Sequence, residues 1–315
     1  MPGAASGFLT DRAARAGNRG PAQLDLFLDS RTVALVNDAV AALAARDPAA
    51  AAEAVAKLRA HAPGHETLPS LAALAEAVAK WRLPAADAAA IAAAAACIDR
   101  DLEPLARRVL ADAAESFIAA HFRDLAGVAV GLGYDPAHPS AYRAALCLRC
   151  GDWAGAEQAA MAIDGCGRLA DALQWLAVAR YRAAGLDAAL TVLFALAWEA
   201  PSRFAATVEE LGDDLLRRQW HGFERACDWC SVPEAEVPAW FPAWYLLEHP
   251  AAASLFDGAD APPMAAAEAA WLLLRLLESE RRGDWRALAM QRERLRELNA
   301  AFFALYMERR SVRHR

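Results

Sequence analysis

The sequence predicts an all-α protein, a solenoid of antiparallel helix pairs, and three observations carry that expectation. Runs of β-branched and aromatic residues alternating with period two are absent. Apolar residues recur at helical spacing from Ser30 to Arg310. Short proline-containing breakers, HAPGHETLPS, WRLPAAD, YDPAHPS and WEAPSR, act as turns, so that helix, short breaker, helix is the theme over most of the chain. The expected organisation is a flexible N-terminal segment over 1–29 followed by a helical-repeat domain over 30–315.

Taken in order, Ser30 is the expected N-cap of a first helix carrying Val33, Val36, Val40 and Leu43 on one face. Asp47-Pro48 stops that helix and opens a second one running to about His61, because proline is at home in a first turn. Further pairs follow. In the clearest, Leu173, Leu176 and Ala177 mark a first helix, Ala189, Leu193 and Ala197 a second, and Pro201 closes the unit. The turn Gly151-Asp152-Trp153 recurs as Gly283-Asp284-Trp285, and Arg46-Asp47-Pro48 sits in the equivalent place. The stretch from Trp220 to Pro263 fits no such unit. These spacings resemble the tetratricopeptide repeat, in which small residues let two helices approach and a terminal proline ends the second. The resemblance spans about four degenerate units and implies a protein-binding scaffold.

Composition narrows the function classes. The 315 residues are 57% apolar, much of it alanine, with net charge −7 and mean hydropathy +0.12. No run of about 20 bulky apolar residues is present to cross a bilayer; Ala85 to Ala96 is the nearest, too short and too alanine-dominated. The N-terminus has no sustained apolar core of a secretory signal, although it is Arg-rich and acid-poor as transit peptides are, so a cytoplasmic location is the expectation. The acidic balance disfavours direct nucleic-acid binding, and the basic tail Arg309 to Arg315 reads as a solvated helix end.

Alanine buries little area, so larger side chains must anchor each layer. The ten tryptophans, Trp81, Trp153, Trp175, Trp198, Trp220, Trp229, Trp240, Trp244, Trp271 and Trp285, read as core. Within PAWFPAWYLLEHP, the side chains Trp240, Phe241, Trp244 and Tyr245 either plug the end of a layer or line a groove.

No catalytic constellation emerges: neither GxSxG nor HExxH occurs, the glycines of GVAVGLGYD lack a GK[ST] ending, and Glu209-Glu210 and Asp213-Asp214 read as a solvated helix face. His61, His65, His138 and His249 fall at proline-containing turns. The pairs Cys147/Cys150 and Cys227/Cys230 are too far apart for a zinc ribbon, and the first lies inside a predicted helix, so no metal and no cofactor is expected and the six cysteines read as small apolar residues.

One short stretch stands apart. PAQLDLFLDS places large apolar residues between a Gly/Arg-rich lead and the first helical pattern. Its pentapeptide Gln23-Leu24-Asp25-Leu26-Phe27 resembles the motif by which bacterial polymerases and repair proteins dock on the DNA sliding clamp. From average usage such a match arises by chance in about one chain of this length per thousand. The resemblance implies that Gln23 meets a polar rim while Leu24, Leu26 and Phe27 fill an apolar pocket. The same stretch also has Leu24, Phe27 and Leu28 at i, i+3, i+4 spacing, which suits a helical turn capping the open first layer of a solenoid. Both readings stand at this point: an adaptor recruited to the clamp, and a peptide- or protein-binding scaffold whose residues 21–29 form its end cap.

Overall fold

The structure, a computed structural model, describes residues 21–227, 232–256 and 264–313, with side chains described for 31–227, 232–256 and 264–311. It is all-helical, with no strand among the described residues. The chain divides into two compact units, Met1–Arg82 with Ile98–Ile118, and Leu83–Cys97 with Ala119–Arg315. The chain crosses between the units at Arg82-Leu83, at Cys97-Ile98 and again at Ile118-Ala119.

In the first unit α1 (Pro21–Ala44) packs on α2 (Pro48–His61), and α2 packs on α3 (Leu68–Lys80). Helix α1 begins at Pro21, not at Ser30. Proline's missing amide belongs among the orphan donors of a first turn anyway, so the helix can start there and carry Ser30 through its interior. Of the expected face of α1, Leu43 is fully buried and Val36 and Val40 are half-buried, but Val33 is 57% exposed, and Ala39 beside them is fully buried. A pattern read from the large residues alone leaves out the alanine at the middle of that face. On α2 and α3 the stripes are regular, Ala51, Ala54, Val55 and Leu58 against Leu71, Leu74, Ala75 and Val78. The alanine-rich α4 (Ala88–Cys97) belongs to the second unit and buries Ile91 and Ala95. A wide π-type turn at Ile98–Leu102 then leads into α5 (Glu103–Leu110), which packs on α3.

Beyond α6 (Ala114–Val128), the second unit continues through α7 (Arg143–Cys150), α8 (Trp153–Met161), α9 (Ala170–Ala184), α10 (Leu186–Glu199), α11 (Pro201–Leu211) and α12 (Asp214–Ala226). From α7 to α12 each helix packs on the next. The α9–α10 pair is built as its sequence implies: Leu173, Leu176, Ala177, Ala189, Leu193 and Ala197 are all buried, and Pro201 opens α11 directly after the pair. Ala177, Ala179, Ala189 and Ala197 are fully buried, so small side chains stand where the two helices face the core.

A shared corner joins several consecutive helices. A left-handed residue ends one helix and an aspartate caps the next: Gly151 (φ 77°) before Asp152, Gly212 (φ 66°) before Asp213, Gly283 (φ 70°) before Asp284 and Arg46 (φ 58°) before Asp47. Each aspartate accepts a backbone N–H of its own helix, from Gly155 at 2.9 Å, Leu216 at 2.7 Å, Ala287 at 3.0 Å, and Ala49 and Ala50 at 3.0 Å. Asp213 is therefore a cap, not a solvated acid, and it also accepts the Tyr181 hydroxyl at 3.1 Å.

Around α13 (Phe241–Glu248) the regular pattern fails, with 3₁₀ segments before it at Glu234–Trp240 and after it at Pro250–Phe256. Pro233, Pro238 and Pro250 interrupt any longer helix, Pro242 sits in the first turn of α13, and aromatic packing joins α13 to its neighbours. Regularity returns with α14 (Ala265–Arg282), α15 (Trp285–Leu298) and α16 (Ala300–Arg313), again packed in succession.

Candidate functional site

Gln23, Leu24, Asp25, Leu26 and Phe27 fall on the first turns of α1, so their backbone is helical; their side chains lie outside the described residues. An α-helix advances about 100° per residue, which sets positions 24, 27 and 28 on one face and position 26 about 160° from position 24.

The aromatic segment is an interior feature. Trp240, Phe241, Trp244 and Tyr245 are 3, 0, 6 and 6% exposed, so they fill the core of the second unit and line no open groove. The reason is mutual packing. Phe241 has ring centroids of Phe204 at 5.3 Å, Trp220 at 5.6 Å, Phe223 and Tyr245 at 5.7 Å, Trp244 at 6.1 Å and Phe194 at 6.3 Å around it. Six rings at 5–6.5 Å leave that side chain no solvent face.

Not every tryptophan is an anchor. Trp285, first residue of α15, is 77% exposed, and Met290 on the same helix is 69% exposed. Trp153, its counterpart after Asp152, is half-buried. Trp229 lies outside the described residues.

Cys147 and Cys150 occupy the last turn of α7, both buried, with the Cys150 thiol donating to the Cys147 carbonyl at 3.4 Å. Cys227 is half-buried, and Cys230 lies outside the described residues. No group of three or more His, Cys, Asp or Glu side chains is placed to hold a metal ion among the described residues.

Two polar networks were invisible in the sequence because their members are distant in it. On α9, Asp171 accepts both the Tyr134 hydroxyl and the Arg203 guanidinium of α11. Near the C-terminal end, Glu280 of α14 accepts the Tyr306 hydroxyl at 2.9 Å and pairs with Arg310 at 2.8 Å and Arg292 at 3.6 Å. Arg309 reaches Glu248 of α13 at 2.7 Å. The tail expected to be solvated thus begins with two arginines tied to the body of the unit, and Arg310 keeps only 19% of its side-chain exposure.

Burial gives the second unit an alkaline liability. It pushes the Cys147 thiol from 9.0 up to about 11, and burial together with the bond to Asp171 pushes the Tyr134 phenol from 10.0 up to about 12. Both groups are neutral when protonated, and the folded chain holds those protons to higher pH than the unfolded chain does. Stability therefore falls as pH rises from about 9 toward 12, by at most about 1.4 kcal/mol per pH unit for each group. Thermal melting across that range is expected to show the loss, with Cys147→Ala flattening its lower part and Tyr134→Phe its upper part; unchanged slopes in both variants would contradict the assignment.

An open cleft of about 590 Å³ lies inside the second unit. Its wall runs from the glycine loop after α6 (Gly131, Gly133, Tyr134) past the start of α7 (Tyr142, Arg143) to the end of α8 (Gln158, Asp164). Only its glycine side, in GVAVGLGYD, was noticed in the sequence, because the rest of its lining comes from α7, α8 and the turn after α8. No helix of the described residues is long and apolar enough to cross a membrane. Comparison with protein-family models, with curated proteins and with solved structures finds nothing that this chain matches.

Proposed function

We propose that the chain is a non-enzymatic, protein-binding helical scaffold, recruited to the bacterial DNA sliding clamp through Gln23–Phe27. The observation that carries the recruitment is the identity of Gln23-Leu24-Asp25-Leu26-Phe27 with the docking pentapeptide at every position. Support for the scaffold comes from consecutive helices packed one on the next and joined by a recurring aspartate-capped corner. In this reading Gln23 contacts the polar rim and Leu24, Leu26 and Phe27 are the anchors, presented when the first turns of α1 open. Unwinding a helix end is inexpensive compared with unwinding its middle.

The second reading makes residues 21–29 the terminal cap of the scaffold, with no clamp partner. The helical backbone from Pro21 favours it, because positions 24, 27 and 28 then share a face. The test is titration of a peptide spanning Asn18 to Val33 against purified clamp. Docking predicts saturable binding, about 2 kcal/mol or more weaker after Phe27→Ala and little altered after Asp25→Ser. Equal binding by the wild-type and Phe27→Ala peptides, or binding by neither, would contradict it.

A further inference from the structure

We propose that the cleft of the second unit is a binding site for a small carboxylic acid with an aromatic or branched apolar body, held by Arg143. This goes beyond the scaffold reading and does not depend on it.

Four features of the cleft lead there. Its volume of about 590 Å³ falls in the range of about 300–1,000 Å³ usual for small-molecule sites. Its aromatic wall is preset: Tyr142 stacks on Trp175 at 5.6 Å, and Tyr134 meets both edge-on at 5.6 and 6.0 Å. The two hydroxyls of that wall are already committed, Tyr142 to the Ala159 carbonyl at 2.9 Å and Tyr134 to Asp171, and with Tyr142 buried against Trp175 the half-buried Tyr134 ring is the aromatic surface offered to a ligand. The fourth feature is Arg143. Its side chain is half-buried at the cleft wall and has neither an ion pair nor a hydrogen bond among the described residues.

Arginines held partly out of water elsewhere in this unit have acids: Arg180 has Glu157, Arg203 has Asp171, Arg310 has Glu280. A guanidinium without one, on the wall of an open cavity, is a vacant fork matched to one carboxylate. A phosphate dianion fits less well. The cleft offers a single cation, and Asp164 on the same lining repels additional negative charge. Gly131 and Gly133 leave open space beside their Cα atoms, so the loop side of the cleft admits a bulky body against the rings.

The experiment is calorimetric titration of the full chain with phenylacetate and with its neutral isostere phenylacetamide. Phenylacetate is expected to bind in the millimolar range, as its few heavy atoms allow, and phenylacetamide about 10-fold more weakly or not at all. Arg143→Gln should weaken phenylacetate about 10-fold while Arg143→Lys retains part of the affinity. Equal binding of acid and amide, no heat with either at about 20 mM, or an Arg143→Gln chain of native helicity that binds undiminished would each overturn the proposal. Should the variants fail to fold, the acid–amide comparison on the unaltered chain decides the question alone.

Discussion

Phe241→Ala is expected to destabilise the second unit by about 4 kcal/mol, the upper range for emptying a fully buried aromatic site. Phe241 is 0% exposed and sits among six rings contributed by α10, α11, α12 and its own helix. Those rings are rigid and cannot collapse into the vacated volume, so the lost transfer energy and the cavity term add. Phe241→Leu keeps most of the volume but loses the edge-on ring contacts, and about 1.5 kcal/mol is expected. Urea unfolding monitored by far-ultraviolet dichroism measures both. A loss below about 1 kcal/mol for the alanine variant would mean that the irregular 232–256 segment does not anchor the unit.

Glu280→Ala is expected to cost about 3 kcal/mol or more, through what it leaves behind. The Glu280 side chain is 11% exposed and is the common acceptor for Tyr306, Arg310 and Arg292. Tyr306 is itself 1% exposed, so its hydroxyl would keep only the Arg292 contact at 3.3 Å, from a group that can donate but not accept. Glu278→Ala is the control. Its pair with Arg282 is close, at 2.6 Å, yet both side chains are more than half exposed, and solvent screening reduces the expected loss to about 0.5 kcal/mol or less. Melting temperatures of the two variants should separate clearly, and equal shifts would show that the Glu280 network contributes no more than a surface pair.

The helical character and most breakers were legible because helix period, proline position and aspartate caps are local properties of the chain. Asp47, Asp152 and Asp284 were found through their neighbours, whereas Asp213 was missed because Gly212-Asp213 has no following tryptophan. Faces were harder. On α1 the face through Val36, Val40 and Leu43 was legible, but Val33 is exposed and the fully buried Ala39 went unmarked, because in a chain this rich in alanine the small residues mark the packing surface without registering as strongly apolar. Trp285 was misplaced for the opposite reason: size suggested burial, but the first turn of α15 turns that position outward. The aromatic plug was recognised as a cluster, yet only burial distinguishes a plug from a groove. Networks such as Glu280 with Tyr306 and Arg310, and the cleft beside Arg143, assemble residues from separate elements, which periodicity cannot reveal.

The proposed recruitment to the clamp through Gln23–Phe27 turns on position 26. Docking uses Leu24, Leu26 and Phe27, whereas a helical cap uses 24, 27 and 28 and leaves 26 on another face. The decisive measurement is therefore the affinity of the full chain for immobilised sliding clamp, with and without Leu26→Ala, alongside the melting temperature of both chains. Docking predicts about a 30-fold loss of affinity, equivalent to about 2 kcal/mol, at unchanged stability. No binding by the unaltered chain, or equal binding by the two chains, would contradict it.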